Sequence, residues 1–108
     1  MDRISVDELV QMIEGGKHPV IFDVRPAEAR AHGGMIPGAI AAHPSEIGSV
    51  LSAYPRNVEV IIYCACPNEA TAAIAANHLK RAGYNKIRPL LGGIDAWAGA
   101  GRPLAAAV

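Results

Sequence analysis

Neither sign of charge is in excess: ten Lys and Arg stand against ten Asp and Glu, and no stretch concentrates either. A protein that grips nucleic acid or an anionic membrane surface gathers basic residues against phosphate, so this even scatter argues against both partners. Long apolar runs are missing too. Runs such as Val58-Glu59-Val60-Ile61-Ile62-Tyr63 fall far short of the roughly 20 residues that a membrane-spanning helix needs. The opening residues are polar rather than signal-like, so a soluble chain without membrane contact of its own is expected. Cysteine is scarce. Cys64 and Cys66 stand one residue apart, where a bond would close a small strained ring instead of stapling a fold. Reduced thiols in a cytoplasmic setting fit this usage. No internal repeat or low-complexity segment is visible.

What is present is enough apolar material for one core: 51% of the 108 residues are hydrophobic, so residues 1–108 are read as a single domain. Ser5 and Glu8 form a capping-box pair before Leu9, Val10, Met12 and Ile13, and Gly15-Gly16 follows, which predicts a helix over 5–14. Arg3-Ile4 is expected to add a short strand ahead of it. The continuous run Val20-Ile21-Phe22-Asp23-Val24 reads as a strand covered on both faces. Pro26 opens a short helix ending near Gly33-Gly34, and Pro37-Gly38 turns the chain into a strand at 39–41. Pro44-Ser45-Glu46 then begins a helix to about residue 53.

Residues 58–63 form the clearest strand, and the Ala-rich segment 70–83 reads as a helix that closes on Lys80, Arg81 and Gly83. A strand at 86–90 and a helix at 94–98, carrying the single Trp97, complete the pattern. The terminal run 104–108 is expected to be frayed or to mark the cut end of something longer. Strands alternating with helices define an α/β fold: a mainly parallel central sheet of about five strands, flanked by helices on both faces.

Cys64 follows the clearest strand, with a helix beginning about six residues later. Ligands of open parallel sheets gather at the carboxyl ends of strands. There the amides of a curled loop and the positive end of a helix favour the thiolate and lower the thiol pKa. A cysteine so placed is a candidate nucleophile, although an isolated one is more often an inert core residue. Cys66 reads as a small structural loop residue. The four histidines, His18, His32, His43 and His78, make no ligand-spaced pair with the cysteines, so neither a metal site nor a Cys-His pair is expected.

Four blocks occur in order: Phe22-Asp23-Val24-Arg25, Ile36-Pro37-Gly38-Ala39, Ile62-Tyr63-Cys64 with its Ala-rich helix, and Leu91-Gly92-Gly93-Ile94-Asp95-Ala96-Trp97 with Gly101-Arg102-Pro103. Together they resemble the rhodanese family from Ser5 to Pro103. The resemblance implies a sulfurtransferase or persulfide carrier. Cys64 would accept sulfur from a small donor such as thiosulfate, or from a protein persulfide, and pass it to a thiophilic acceptor. Ala65, Cys66, Pro67, Asn68, Glu69 and Ala70 would form the persulfide-binding loop, with no metal or organic cofactor. The related dual-specificity phosphatases use a longer loop ending in arginine, which this six-residue loop lacks. The loop is also similar to that of rhodanese-like domains fused to DedA-type multi-pass membrane proteins, which makes fusion to such a protein an expectation resting on the loop alone.

Three positions depart from the family pattern. Gly34-Met35 replaces a Gly-His pair, and Arg30 stands near a customary acid. Glu69 ends the loop where many relatives carry a basic residue. At an effective dielectric near 20, a carboxylate about 4 Å from a thiolate would oppose it by on the order of 4 kcal/mol, more than the roughly 0.3 to 2 kcal/mol a helix terminus supplies. Glu69 is expected to turn outward into solvent in the first helical turn. If it turned inward, the alternative would be a noncatalytic interaction or regulatory module. Asp23 is expected to accept loop N–H bonds, Arg25 to pair locally with Glu28, and Trp97 to serve packing.

Overall fold

The computed structural model describes residues 2–65 and 69–106. The elements run α1 (Val6–Glu14), β1 (Val20–Asp23), α2 (Ala27–Gly33), β2 (Ile40–Ala41), a 3-10 turn at Pro44–Glu46, α3 (Ile47–Leu51), β3 (Val60–Tyr63), α4 (Ala70–Arg81), β4 (Ile87–Pro89) and α5 (Gly93–Gly99). Among the described residues the four strands form one sheet in the order β2-β1-β3-β4. All three pairings are parallel, with Phe22 opposite Ile40 and Ile62, and Ile62 opposite Pro89.

Burial on both faces explains the unbroken apolar runs. Because side chains alternate along a strand, Val20, Phe22, Val60 and Ile62 point one way, where they meet Ile47 and Leu51 of α3 and Ala72, Ala75, Ala76 and Leu79 of α4. Ile21, Ile61 and Tyr63 point the other way, against Val6 and Leu9 of α1 and Ile94 and Trp97 of α5. The two clusters are the two halves of a three-layer α/β arrangement. The spacing of residues 72, 75, 76 and 79 is one helical stripe, which is how a largely alanine helix still presents a coherent apolar face.

The first helix begins as its capping box requires: Ser5 Oγ accepts the Glu8 N–H, and the Glu8 carboxylate accepts the Ser5 N–H, both at 3.1 Å. Arg3-Ile4 forms no strand. Ile4 makes a single parallel bridge to Leu90, so among the described residues the sheet has four strands rather than five, because this short segment meets the sheet only where β4 has already ended. The helix expected over 44–53 is split into a 3-10 turn and a five-residue α3. Gly48, Ser49 and Ser52 are weak helix formers, and the Ser52 hydroxyl bonds the Ser49 carbonyl instead of leaving the backbone to continue. Of the run 104–108, Ala105 is held rather than frayed, since Met35 and Ala105 exchange two backbone bonds of 2.8 Å, while residues 107 and 108 lie outside the described residues. Among the described residues no helix is long and apolar enough to cross a membrane.

The central position of β3 sets a stability expectation. Ile62 is fully buried, so Ile62→Ala should lower the unfolding free energy by about 2–5 kcal/mol in urea titrations. A loss below 1 kcal/mol would mean that this layer is not close-packed.

Candidate active site

The strand order reverses at one place. From β1 the chain crosses to β2 on one side, whereas β3 and β4 lie on the other, so the carboxyl ends of β1 and β3 flank a topological switch point. Crevices at such points are where open parallel sheets bind ligands. Cys64 is the residue immediately after β3, and Val24, immediately after β1, donates its N–H to the Tyr63 carbonyl beside it at 3.1 Å.

A buried polar network holds these two strand ends. The Asp23 carboxylate is wholly inaccessible, so each of its oxygens must find a donor. Oδ1 accepts the Arg25 backbone N–H at 2.9 Å and Nε at 3.1 Å, while Oδ2 accepts Arg25 Nη2 at 2.7 Å and the Tyr63 hydroxyl at 2.6 Å. Arg25 Nη2 also donates to the Gly34 carbonyl at 2.6 Å, and the Tyr63 oxygen accepts the Ile36 N–H at 3.1 Å. Arg30 donates to the Arg25 carbonyl from α2. The network joins β1, β3 and the segment after α2. Asp23 thus accepts a loop N–H as expected, but Arg25 pairs with Asp23 and not with Glu28. Glu28 is exposed, and a buried carboxylate offers the guanidinium a stronger, less screened field than one in water. Burial and the hydrogen bond to Asp23 raise the Tyr63 phenol above its ordinary range. The Arg25 guanidinium is likewise held charged: its burial opposes the charge, but the bond and charge of Asp23 outweigh it.

Cys64 is 2% exposed and belongs to the apolar cluster under α4. Its carbonyl accepts the Ile94 N–H at 3.2 Å. The turn before α5 is pressed onto this peptide: a Cβ on Gly93 would lie 2.1 Å from the Cys64 oxygen, and Gly93 has φ 57°, so only glycine fits there. Ala65 and Ala70 are exposed, whereas Cys66, Pro67 and Asn68 lie outside the described residues.

Glu69 corrects the sequence reading. It is 5% exposed rather than turned into solvent. Its backbone is left-handed, with φ 53° and ψ 37°, a conformation that costs an L residue about 1–2 kcal/mol. Oε2 accepts the Gly92 N–H at 3.3 Å. Oε1 lies 2.5 Å from Arg3 Nε, an ion pair whose geometry is not that of a straight hydrogen bond. The left-handed residue swings its side chain back toward the turn before α5 instead of along the outside of α4. Nothing local in the sequence pointed to Arg3 or Gly92 as its partners. Tyr63 was readable in principle, since a buried phenol hydroxyl needs a partner.

Beside the switch point a cleft of about 560 Å³ is lined by Arg25, Arg30, Ala42, His43, Thr71 and neighbouring residues. All four histidines are exposed, in contrast to Cys64. Among the described residues no group of three or more His, Cys, Asp or Glu is gathered as a metal site would require.

These features define an open parallel α/β fold with a cysteine at its switch point, six residues before the start of a helix. The family model for the rhodanese-like domain matches residues 5–100, and the chain belongs to that family. A protein named sulfurtransferase from Allochromatium vinosum is 33% identical over 107 residues, spanning 98% of this chain and 96% of its own. Among solved structures, the Alr3790 protein from Anabaena sp. aligns with a TM-score of 0.83 at 25% identity, covering 97% of this chain and 82% of that one. A rhodanese-like domain protein from Staphylococcus aureus aligns with a TM-score of 0.73 at 30% identity, covering 90% and 91%.

Two outcomes test the network. Asp23→Asn strands the Arg25 charge in the interior and should cost about 3–5 kcal/mol in chemical denaturation. A folded-state phenol raised above its unfolded value stabilises the protein fully below about pH 10, and that contribution is lost as pH climbs further. The urea midpoint should therefore hold up to about pH 10 and fall progressively as pH is raised from there toward about 12, and fall less in Tyr63→Phe.

Proposed function

We propose that the protein is a rhodanese-type sulfurtransferase or persulfide carrier in which Cys64 accepts and releases a single sulfur atom. The observation that carries this reading is the place of Cys64 at the carboxyl end of β3, on the switch point, with α4 beginning six residues on. Membership of the rhodanese-like family and the likeness to a sulfurtransferase support it.

The Cys64 thiolate attacks the outer sulfur of the donor. A sulfur–sulfur bond forms to Cys64 as the donor's own bond breaks, and the electron pair leaves with sulfite from thiosulfate, or with a thiolate from a persulfide donor. An acceptor nucleophile then attacks the outer sulfur of the Cys64 persulfide, and the Cys64 thiolate departs ready for another cycle. No net oxidation occurs, so the cycle calls for no metal or organic cofactor. The chain contributes amide dipoles. The first N–H groups of α4 lack intrahelical acceptors, and together with the loop from Ala65 to Ala70 they favour negative charge on sulfur. The cationic side chains of the neighbouring cleft, Arg25 and Arg30, suit an anionic donor or leaving group, although the Asp23 pairing leaves Arg25 little charge to offer. The setting proposed is the cytoplasm, with attachment to a membrane protein as one natural context.

Intact mass after incubation with thiosulfate, or with an enzyme persulfide donor, tests the reading. The parent protein should gain one sulfur, about 32 Da, placed on Cys64 by fragmentation, and Cys64→Ser should gain none. Equal loading of the Cys64 variant would remove Cys64 from the role.

A further inference from the structure

Resting on the reading of Cys64 as the sulfur-accepting thiol, a further role falls to a residue far from the loop in sequence. A carboxylate that ends a thiolate loop disfavours the thiolate unless its charge is met elsewhere. In this fold it is met. The Glu69 side chain is 7% exposed and its carboxylate lies between the Gly92 N–H, at 3.3 Å, and Arg3 Nε, at 2.5 Å. The same turn that supplies Gly92 also presses Gly93 on the Cys64 carbonyl, so Glu69 and Cys64 share one short piece of backbone.

We propose that Arg3 is a positioning residue for the cysteine site: it neutralises Glu69 and holds the carboxylate against the turn before α5, so that Cys64 ionises among amide dipoles and not beside an uncompensated negative charge. The remaining charges around the loop do not substitute for it. Asp7 of α1 lines the same cleft as Glu69 and adds negative charge, and Glu8 is engaged by Ser5. Asp95 in the first turn of α5 is exposed, and α4 has no acid in its first turn. Asp23 and Arg25, after β1, are committed to each other. Among the described residues, Arg3 is the cation that pairs with Glu69.

A double-mutant cycle on the full chain separates this from a purely structural contact. Iodoacetamide alkylation is followed against pH, with fragmentation distinguishing Cys64 from Cys66. Arg3→Met should slow Cys64 alkylation at neutral pH several-fold and move its midpoint upward, because Glu69 is left charged and unpaired. Glu69→Gln should react at least as fast as the parent. The Arg3→Met, Glu69→Gln double variant should recover the parent rate, which a structural loss would not do. Arg3→Lys, which keeps the charge, should hold the parent midpoint and keeps the test decisive if Arg3→Met folds poorly. A parental profile for Arg3→Met, a double variant as slow as Arg3→Met, or an upward-shifted Arg3→Lys would each overturn the proposal. Failure of the parent to take up sulfur, with the cycle behaving as stated, would remove the transfer reaction and leave the charge pairing standing.

Discussion

A carboxylate with no access to water governs the carboxyl end of the sheet. Asp23 is fully buried on β1, and an uncompensated charge there would cost several kcal/mol, comparable with the net stability of a small domain. Its donors are therefore obligatory. They come from Arg25, two residues on, and from Tyr63 across the sheet, so the carboxylate fixes the ends of β1 and β3 relative to each other. Arg25 then reaches Gly34, and the Tyr63 oxygen reaches Ile36, which draws the segment after α2 onto the same point. Cys64 inherits its place from this arrangement, since it follows Tyr63 directly.

The second constraint is the tight approach of the turn before α5. Gly93 lies against the Cys64 peptide where no side chain fits, and Ile94 bonds its carbonyl. Cys64 and Glu69 are thereby both tied to the same turn, Cys64 through its carbonyl to Ile94 and Glu69 through its carboxylate to Gly92. A helix terminus supplies only about 0.3–2 kcal/mol toward an anion, so the sign and placement of single charges near the sulfur matter as much as the dipole. The pairing of Glu69 with Arg3 and Gly92 is the form that balance takes in this chain.

Much of the framework was readable because its causes are local. The Ser5 and Glu8 box, the glycines after α1 and the Ala-rich helix α4 each depend on neighbours within one or two helical turns, and the structure has them where the sequence placed them. The readings that failed involved a choice between a local partner and a distant one. Arg25 has Glu28 close by on an exposed helix, but the buried Asp23 holds it. Glu69 was expected to follow the outside of its helix, yet a left-handed backbone sends the side chain to a residue 23 positions on. The strand imagined at Arg3-Ile4 reduced to one bridge because pairing length is set by where β4 stops.

By itself the sequence determined the α/β class, the family blocks and the candidate cysteine, since hydrophobic periodicity, caps and turn residues act through short-range sterics and hydrogen bonding. Strand order, the switch point and the surroundings of Glu69 were decided only by tertiary structure. These depend on which buried polar groups find one another after the chain has crossed the sheet, and a lone charge in the interior accepts whichever partner the packing brings within about 3 Å, however far away it lies along the chain.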